Sequence, residues 1–218
     1  CSADLPVCRV PSLECLRQRV QQFQAEDAGR DISIDRRNGA YILNPAGDLR
    51  TTQESFEDDL SRLNGWTGIV NREPSEDEFK DALESKSLFL YFGHGSGAQY
   101  IRGRTIKRLE RCAVAFLLGC SSGTLTEAGD YEPYGTPMNY LHAGSPALVA
   151  TLWDVTDKDI DRFARATFEQ WGLFRETHNR ALDEAVGKSR DACVLKYLNG
   201  AAPVVYGVPG VLLNRASE

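Results

Sequence analysis

The sequence predicts an α/β fold in which helices flank a mostly parallel central sheet. Short apolar runs alternate along the chain with segments of helical periodicity. The runs do not alternate apolar and polar residues, which is typical of strands that are covered on both faces. Hydrophobic residues make up 42% of the 218 residues and charged residues 26%, as in ordinary globular proteins. These figures exclude a disordered or fibrous chain.

The first 39 residues differ from the rest. Two prolines interrupt the start, and apolar residues at helical spacing predict a helix over residues 13–25. A polar stretch follows up to residue 39. We therefore expect residues 1–39 to be a helical or linker segment that docks on a domain formed by residues 40–218.

Five apolar runs in the remaining sequence predict strands. They are Tyr41–Leu43, Gly68–Val70, Leu88–Phe92, Ala113–Leu118 and Ala147–Trp153. Amphipathic segments between and after them predict helices. These are Thr52–Leu63, Ser75–Leu83, Arg102–Leu109, Tyr134–Ala143, Asp157–Trp171 and Thr177–Leu198. Strand and helix in alternation favour a doubly wound sheet with helices on both faces.

Composition excludes several functional classes. The formal charge of −6 argues against broad binding to a nucleic-acid backbone. The longest apolar run, Ala113–Leu118, is far shorter than a membrane-spanning helix, and the first residues do not resemble a signal peptide. No Cys-x-x-Cys pair is present, so no zinc site is predicted. Because the chain begins with Cys1, we expect it to be a fragment of a longer polypeptide.

The functional site is expected at the carboxyl ends of the strands, where the loops of such sheets gather. Small or polar residues follow four of the predicted strands. The loops are Asn44–Asp48, Gly93–Gly97, Gly119–Gly123 and Asp154–Asp157. This convergence is the strongest functional signal in the sequence.

Two of these loops carry a histidine and a cysteine. If the strands before His94 and Cys120 are neighbours, imidazole and thiol emerge side by side, and the thiol can be held as a nucleophilic thiolate. The backbone N–H groups of Gly95 and Cys120 would then form an oxyanion hole. The alternative is that Cys120 is a small core residue and His94 a turn residue.

Charged residues follow both loops. Asp154 comes directly after a strand, so its carboxylate is suited to a basic substrate side chain, preferably a guanidinium. Asp157–Asp161 also fit the start of a helix. The basic residues between Arg102 and Arg111 form either a solvated helix face or a positive field for acidic or phosphorylated substrate residues.

Two other functions fit part of this pattern. Residues 119–123 match the Gly-x-Ser-x-Gly motif of serine esterases, with Ser121, Asp154 and His178 in the chain order of an α/β-hydrolase. That scheme leaves His94 and Cys120 without roles. A catalytically silent protein-binding module on the same sheet is the third possibility.

Four motifs resemble the separase family of proteases. The segments are YFGHGSGAQYI at 91–101, LLGCSSGTL at 117–125, LWDVTDKDIDRF at 152–163 and the tail at 195–207. AYILNPAGDL at 40–49 is similar to the start of the protease domain in fungal-type members. The resemblance extends from about residue 41 to residue 210, and residues 1–39 match less clearly.

The resemblance implies a caspase-like three-layer sandwich and a dyad of His94 as base and Cys120 as nucleophile. It implies cleavage after Arg in acidic-x-x-Arg sites of the kleisin subunit of cohesin, which triggers sister-chromatid separation. Asp154, Asp157 or Asp161 would hold the substrate Arg.

The resemblance also implies partners and a location. Securin would bind as a pseudosubstrate inhibitor, and the remainder of a large helical polypeptide would adjoin the domain. No cofactor, catalytic metal, membrane or direct nucleic-acid contact is implied. The expected location is nucleus and cytoplasm.

Overall fold

A computed structural model describes residues 5–27, 33–174 and 180–213. The strands of these residues are β1 (Cys8–Arg9), β2 (Ser33–Asp35), β3 (Gly39–Leu43), β4 (Trp66–Val70), β5 (Leu88–Phe92), β6 (Val114–Leu118), β7 (Thr126–Ala128), β8 (Tyr131–Tyr134), β9 (Ala147–Thr151), β10 (Pro203–Gly207) and β11 (Val211–Leu213). The helices are α1 (Leu13–Asp27), α2 (Arg50–Ser61), α3 (Glu76–Glu84), α4 (Gly103–Ile106), α5 (Thr136–His142), α6 (Asp157–Trp171) and α7 (Leu182–Ser189).

Seven strands form the central sheet in the order β1-β10-β9-β6-β5-β3-β4. The pairs are parallel except for β10 with β9. The prediction of a mostly parallel sheet is therefore confirmed. The five predicted strands correspond to β3, β4, β5, β6 and β9, and together they form the continuous middle and one edge of the sheet.

Helices cover both faces of this sheet. On one face, Phe56 of α2 and Phe168 of α6 pack against Phe92 of β5. On the other face, Phe79 of α3 packs against Phe89. All residues of β5 and β6 are buried, which explains why their sequences are apolar without alternation. The result is the three-layer sandwich expected from the sequence.

Local capping signals explain the bounds of two predicted helices, α3 and α6. Ser75 Oγ accepts a hydrogen bond from the Glu78 backbone N–H, and the Glu78 carboxylate accepts one from the Ser75 N–H, which completes a capping box before α3. Helix α6 has the predicted bounds and ends at Gly172, whose φ of 91° is in the left-handed region.

Two of the predicted helices are wrong in extent, and one hairpin was not predicted. A helix over Thr177–Leu198 is replaced by the shorter α7, a single 3-10 turn at Arg190–Ala192 and a loop; residues 175–179 lie outside the described residues. The helix predicted over Arg102–Leu109 shrinks to the four residues of α4. Residues 124–134, for which no strand was predicted, contain the hairpin of β7 and β8.

The described residues before β3 add one strand to each of two sheets. Strand β1 pairs with β10 at the edge of the central sheet, and β2 pairs with β11 in a separate two-stranded sheet. Helix α1 includes the predicted helix over residues 13–25. The domain boundary near residue 39 stays a prediction. None of the described helices combines the length and apolar character needed to cross a bilayer.

Candidate active site

Two glycine-rich loops meet where β5 and β6 end. The register pairs Phe92 with Leu118, so both strands end at the same level of the sheet. Gly119 lies so close to the loop after β5 that an added Cβ atom would overlap the carbonyl oxygens of Gly93 and Gly95. Glycine allows this close backbone approach. The two predicted strands are therefore neighbours, and their loops are in backbone contact.

The imidazole of His94 extends from the first of these loops to a carboxylate. Its Nε2 lies 2.7 Å from Oδ2 of Asp48 in the loop after β3. The hydrogen bond with His94 lowers the pKa of Asp48, so this carboxylate is ionised at neutral pH. The Tyr91 hydroxyl donates to the His94 carbonyl oxygen at 3.0 Å and fixes the backbone there. Both partners of the imidazole–carboxylate pair are more than half exposed.

The thiol of Cys120 lies on the second loop and is half-buried. Its Sγ donates a hydrogen bond of 3.2 Å to the carbonyl oxygen of Val155, just before α6. In the described part of the chain, no hydrogen bond joins this thiol to the His94 imidazole. Catalytic hydrogen bonds often tighten only when substrate binds, so separate partners in the free protein fit a pair that acts together.

Two further cysteines, Cys112 and Cys193, are buried in the core. Burial raises the pKa of the Cys112 thiol to about 12 and that of Cys193 to about 11, so both stay protonated at neutral pH. Cys8 and Cys15 are partly buried in the N-terminal segment. Cys120 differs from all of these because it follows a strand and adjoins the histidine loop. This placement favours Cys120 as the reactive thiol.

Two backbone N–H groups near the thiol are available to a ligand. Among the described residues, the N–H groups of Gly95 and Cys120 donate no hydrogen bond. Gly95 has a φ of 58°, which turns the loop sharply after His94. Unpaired N–H groups on two touching loops have the chemistry of an oxyanion hole. The assignment of Gly95 and Cys120 to that role stays a prediction.

Ser121 does not have the surroundings of an esterase nucleophile. Its hydroxyl donates to Asp154 Oδ1 at 2.6 Å, so the carboxylate binds the serine directly instead of a histidine. The φ of Ser121 is 53°, but β6 leads into the β7–β8 hairpin and not into the helix that follows a nucleophile elbow. His178 lies outside the described residues. The described geometry therefore gives no support to the esterase alternative.

The three aspartates considered for a substrate Arg lie in different environments. Asp154 is exposed and engaged by Ser121. Asp157 is exposed in the first turn of α6, where its charge complements the helix dipole. Asp161 lies one turn further along α6, against the buried Thr52 of α2.

Asp161 combines partial burial with an unused acceptor. Thr52 Oγ1 donates to its Oδ2 at 2.9 Å, whereas its buried Oδ1 has no hydrogen-bond partner among the described residues. Burial raises the pKa of Asp161 to about 6, and the charge of Asp157 adds to the shift, whereas Thr52 and Arg165 oppose it. A carboxylate in this condition gains strongly from a cation that reaches it.

The two helices that meet at Asp161 each follow a loop of the candidate site. The helix that contacts Asp161, α2, follows the loop that carries Asp48. The helix that contains Asp161, α6, follows Val155, whose carbonyl oxygen accepts the hydrogen bond of the Cys120 thiol.

The described residues contain no cluster of three or more His, Cys, Asp or Glu side chains arranged to hold a metal ion.

Asp159 has a structural role that the sequence did not reveal. Its buried carboxylate accepts hydrogen bonds from the backbone N–H groups of Val194 and Leu195, and from Asn199 and Arg162. Although desolvation opposes ionisation, these bonds lower its pKa to about 2. They also bind the chain after the 3-10 turn to a side chain, which explains why no helix continues there.

We expect Asp159→Asn to destabilise this loop by about 2–4 kcal/mol, because the amide cannot accept all of these donors and leaves buried N–H groups unpaired. Faster amide hydrogen exchange at Val194 and Leu195 would reveal it. Because the folded-state pKa is lowered, the stabilisation is present above pH ~4 and is lost as the pH falls towards 2. Unchanged exchange at both amides would contradict this role.

A basic cavity lies beyond the histidine loop. It has a volume of about 580 Å³ and is lined by Lys80, Arg102, Arg104, Thr105 and Arg108. The carboxylate of Glu76 is turned to the backbone N–H of Arg102 and the hydroxyl of Thr105, at 3.1 and 2.7 Å. The three arginine side chains make no ion pair within the described residues. The cavity is therefore suited to an anion.

The fold is that of the caspase-like cysteine proteases. A structure of Saccharomyces cerevisiae separase in complex with securin superposes with a TM-score of 0.88 and 40% sequence identity, over 97% of this chain and 14% of that chain. The Arg-specific cysteine proteinase gingipain R superposes with a TM-score of 0.67 over 93% of this chain and 53% of that chain. Its 17% identity supports a common fold alone.

Sequence comparison identifies the particular family. The family model described as "Separin, protease domain" matches residues 1–160. Separin of Emericella nidulans is 75% identical over 98% of this chain, and separin of Schizosaccharomyces pombe is 48% identical over 95%. The chain belongs to the separin protease-domain family. It spans 11% of the length of each of these two curated relatives.

Proposed function

We propose that this chain is the catalytic domain of a cysteine endopeptidase, with Cys120 as nucleophile and His94 as base. The observation that carries the proposal is the backbone contact between Gly119 and the Gly93–Gly95 loop. It brings the thiol and the imidazole to the same end of adjacent parallel strands. Membership of the separin family and the caspase-like fold support the same chemistry.

The residues fit the steps of thiol-dependent peptide hydrolysis. His94 takes the proton of Cys120, and the sulfur attacks the carbonyl carbon of the scissile bond. The N–H groups of Gly95 and Cys120 hold the negative oxygen of the tetrahedral intermediate. His94 returns the proton to the leaving amine, which leaves an acyl-enzyme. Water, deprotonated by His94, then hydrolyses the thioester and restores the free thiol.

Asp161 is the proposed acceptor for a substrate arginine at the cleaved bond. Within the described parts of the chain its buried Oδ1 accepts no hydrogen bond, whereas Asp154 is engaged by Ser121 and Asp157 is exposed. A guanidinium can satisfy a carboxylate with paired hydrogen bonds, which a lysine ammonium does less well.

The proposed substrate class is a polypeptide with an acidic-x-x-Arg site. The basic cavity supports the acidic position because it is lined by Lys80, Arg102, Arg104 and Arg108. By analogy with the relatives, the proposed natural substrate is the kleisin subunit of cohesin. Securin is the proposed inhibitor, supported by the separase–securin complex of the yeast relative. Action in nucleus and cytoplasm, within a larger helical polypeptide, belongs to the same proposal.

The test is cleavage of matched peptides by the full-length polypeptide. One peptide carries acidic-x-x-Arg, a second replaces Arg by Gln, and a third replaces the acidic residue by Lys. We expect one cut, after Arg, with a large loss for Gln and a smaller loss for Lys. Cleavage at other residues, or none under conditions where the protein is folded, would favour a different enzyme or a silent binding module.

A further inference from the structure

We propose that Asp48 is a positioning residue that orients the His94 imidazole and fixes its tautomer. The inference rests on the proposed peptidase function and adds a third group to its machinery. The contact of 2.7 Å between Asp48 Oδ2 and His94 Nε2 is a short hydrogen bond between side chains that are 46 residues apart in sequence.

The chemistry of the pair determines which nitrogen meets the thiol. Asp48 is ionised and has no proton to donate, so the hydrogen bond requires the proton on Nε2 of His94. In the neutral imidazole the lone pair then lies on Nδ1. Nδ1 is therefore the atom that takes the proton of Cys120, and the carboxylate stabilises the imidazolium that results.

The loop that carries Asp48 is built to hold it in place. Asn44, only 1% exposed, begins this loop with a φ of 52° and donates its N–H to the Phe92 carbonyl oxygen at the end of β5. Its side-chain Oδ1 accepts the N–H of Leu49 at 2.8 Å, which closes the loop around Asp48.

Further contacts make this loop rigid. The Asn44 side-chain amide donates to Gln53 in α2 at 2.8 Å, and Gly47 donates its N–H to the Asn44 carbonyl oxygen. Gly47 has a φ of 80°, which suits glycine. The same residue, Asn44, thus joins the Asp48 loop to the strand that ends two residues before His94. Such fixed supports are what keep a catalytic group in a productive geometry.

Other titratable groups near the pair do not replace the carboxylate. The Tyr91 hydroxyl is engaged with the His94 carbonyl oxygen, and burial raises the pKa of that phenol well above its usual value. The Cys120 thiol donates to Val155 in the free protein. Asp48 is therefore the group whose charge acts directly on the imidazole.

The test compares Asp48→Asn with Asp48→Glu and Asp77→Asn in the full-length polypeptide. Asp77 is an exposed acid in the first turn of α3 and serves as the matched control. We expect Asp48→Asn to lower kcat about 10–100-fold with KM nearly unchanged. This is less than the ~10⁴-fold loss at a buried triad, because the pair is exposed.

Two further comparisons separate positioning from folding. The loss in Asp48→Asn should appear in kcat and not in KM, because the carboxylate orients the base and does not bind the peptide. Asp48→Glu should recover part of kcat, and Asp77→Asn should match the unchanged protein. An unchanged kcat in Asp48→Asn would overturn the inference. If Cys120→Ala still cleaves the peptide, the proposed function itself fails.

Discussion

Cys120→Ala is expected to reduce peptide cleavage by at least ~10⁴-fold, because it removes the atom that forms the acyl-enzyme. The half-buried site of Cys120 tolerates a smaller side chain, so folding should be retained. Cys120→Ser should also lose most of its activity, since a hydroxyl has a much higher pKa than a thiol. The measurement is kcat/KM for an acidic-x-x-Arg peptide with the full-length polypeptide.

Two controls make this result specific. Ser121→Ala should keep most of the activity, because Ser121 is bound to Asp154 and has no role in the proposed steps. Cys15→Ser, on α1, removes a partly buried thiol that lies outside the site and should have little effect. If Cys120→Ser were fully active and Ser121→Ala inactive, the nucleophile would be the serine.

The second large effect is expected at Asp161. Asp161→Asn should lower kcat/KM for an Arg peptide by about 10²–10³-fold, because the guanidinium would enter a pocket without its charged partner. Cleavage of a peptide with a neutral residue in place of Arg, which is slow in any case, should change little. Asp157→Asn is the matched control, one turn earlier on the same helix and exposed.

The ionisation of Asp161 adds a pH signature to this prediction. Because its pKa is raised to about 6, the carboxylate becomes protonated below that pH in the free protein. The ratio of kcat/KM for the Arg peptide to that for the neutral peptide should therefore fall as the pH drops below 6. Both peptides use the same thiol and imidazole, so the ratio isolates the pocket. A constant ratio between pH 5 and 8 would exclude Asp161.

The stability of Asp161→Asn should change in the direction opposite to its activity. A raised pKa means that ionised Asp161 disfavours the folded state above pH ~6, and that this cost disappears below pH ~4. After allowance for solvent screening, Asp161→Asn should increase the free energy of unfolding by about 1–2 kcal/mol at pH 7. A gain in stability together with a loss of arginine preference is the combination expected of a binding carboxylate.

The strands that carry the site were predictable because both of their faces are buried. Leu88–Phe92 and Val114–Leu118 consist of large apolar residues, and the glycines after them mark the strand ends. Their pairing places His94 and Cys120 on adjacent loops, as the motifs suggested. These signals are local in sequence. Because the strands are parallel neighbours, the loops that follow them lie at the same edge of the sheet.

The features that sequence missed depend on contacts between distant residues. The described side chains of β7 and β8 are exposed or only partly buried, so these strands show no apolar pattern in the sequence. The loop after the 3-10 turn that follows α7 is held by Asp159, whose carboxylate accepts hydrogen bonds from the N–H groups of Val194 and Leu195. Asp48 lies in a loop that the sequence already placed after a predicted strand. Its contact with His94 joins residues 46 positions apart, and no local sequence pattern indicates such a contact.

The most direct test of the proposed site is labelling of the full-length polypeptide with a peptide electrophile that ends in Arg, followed by mapping of the modified residue. The account predicts one adduct per chain on Cys120 Sγ, a strong decrease in labelling in His94→Ala, and no reaction of an otherwise identical probe that ends in Gln. An adduct on Ser121 or on another cysteine, or the absence of stoichiometric labelling, would contradict it.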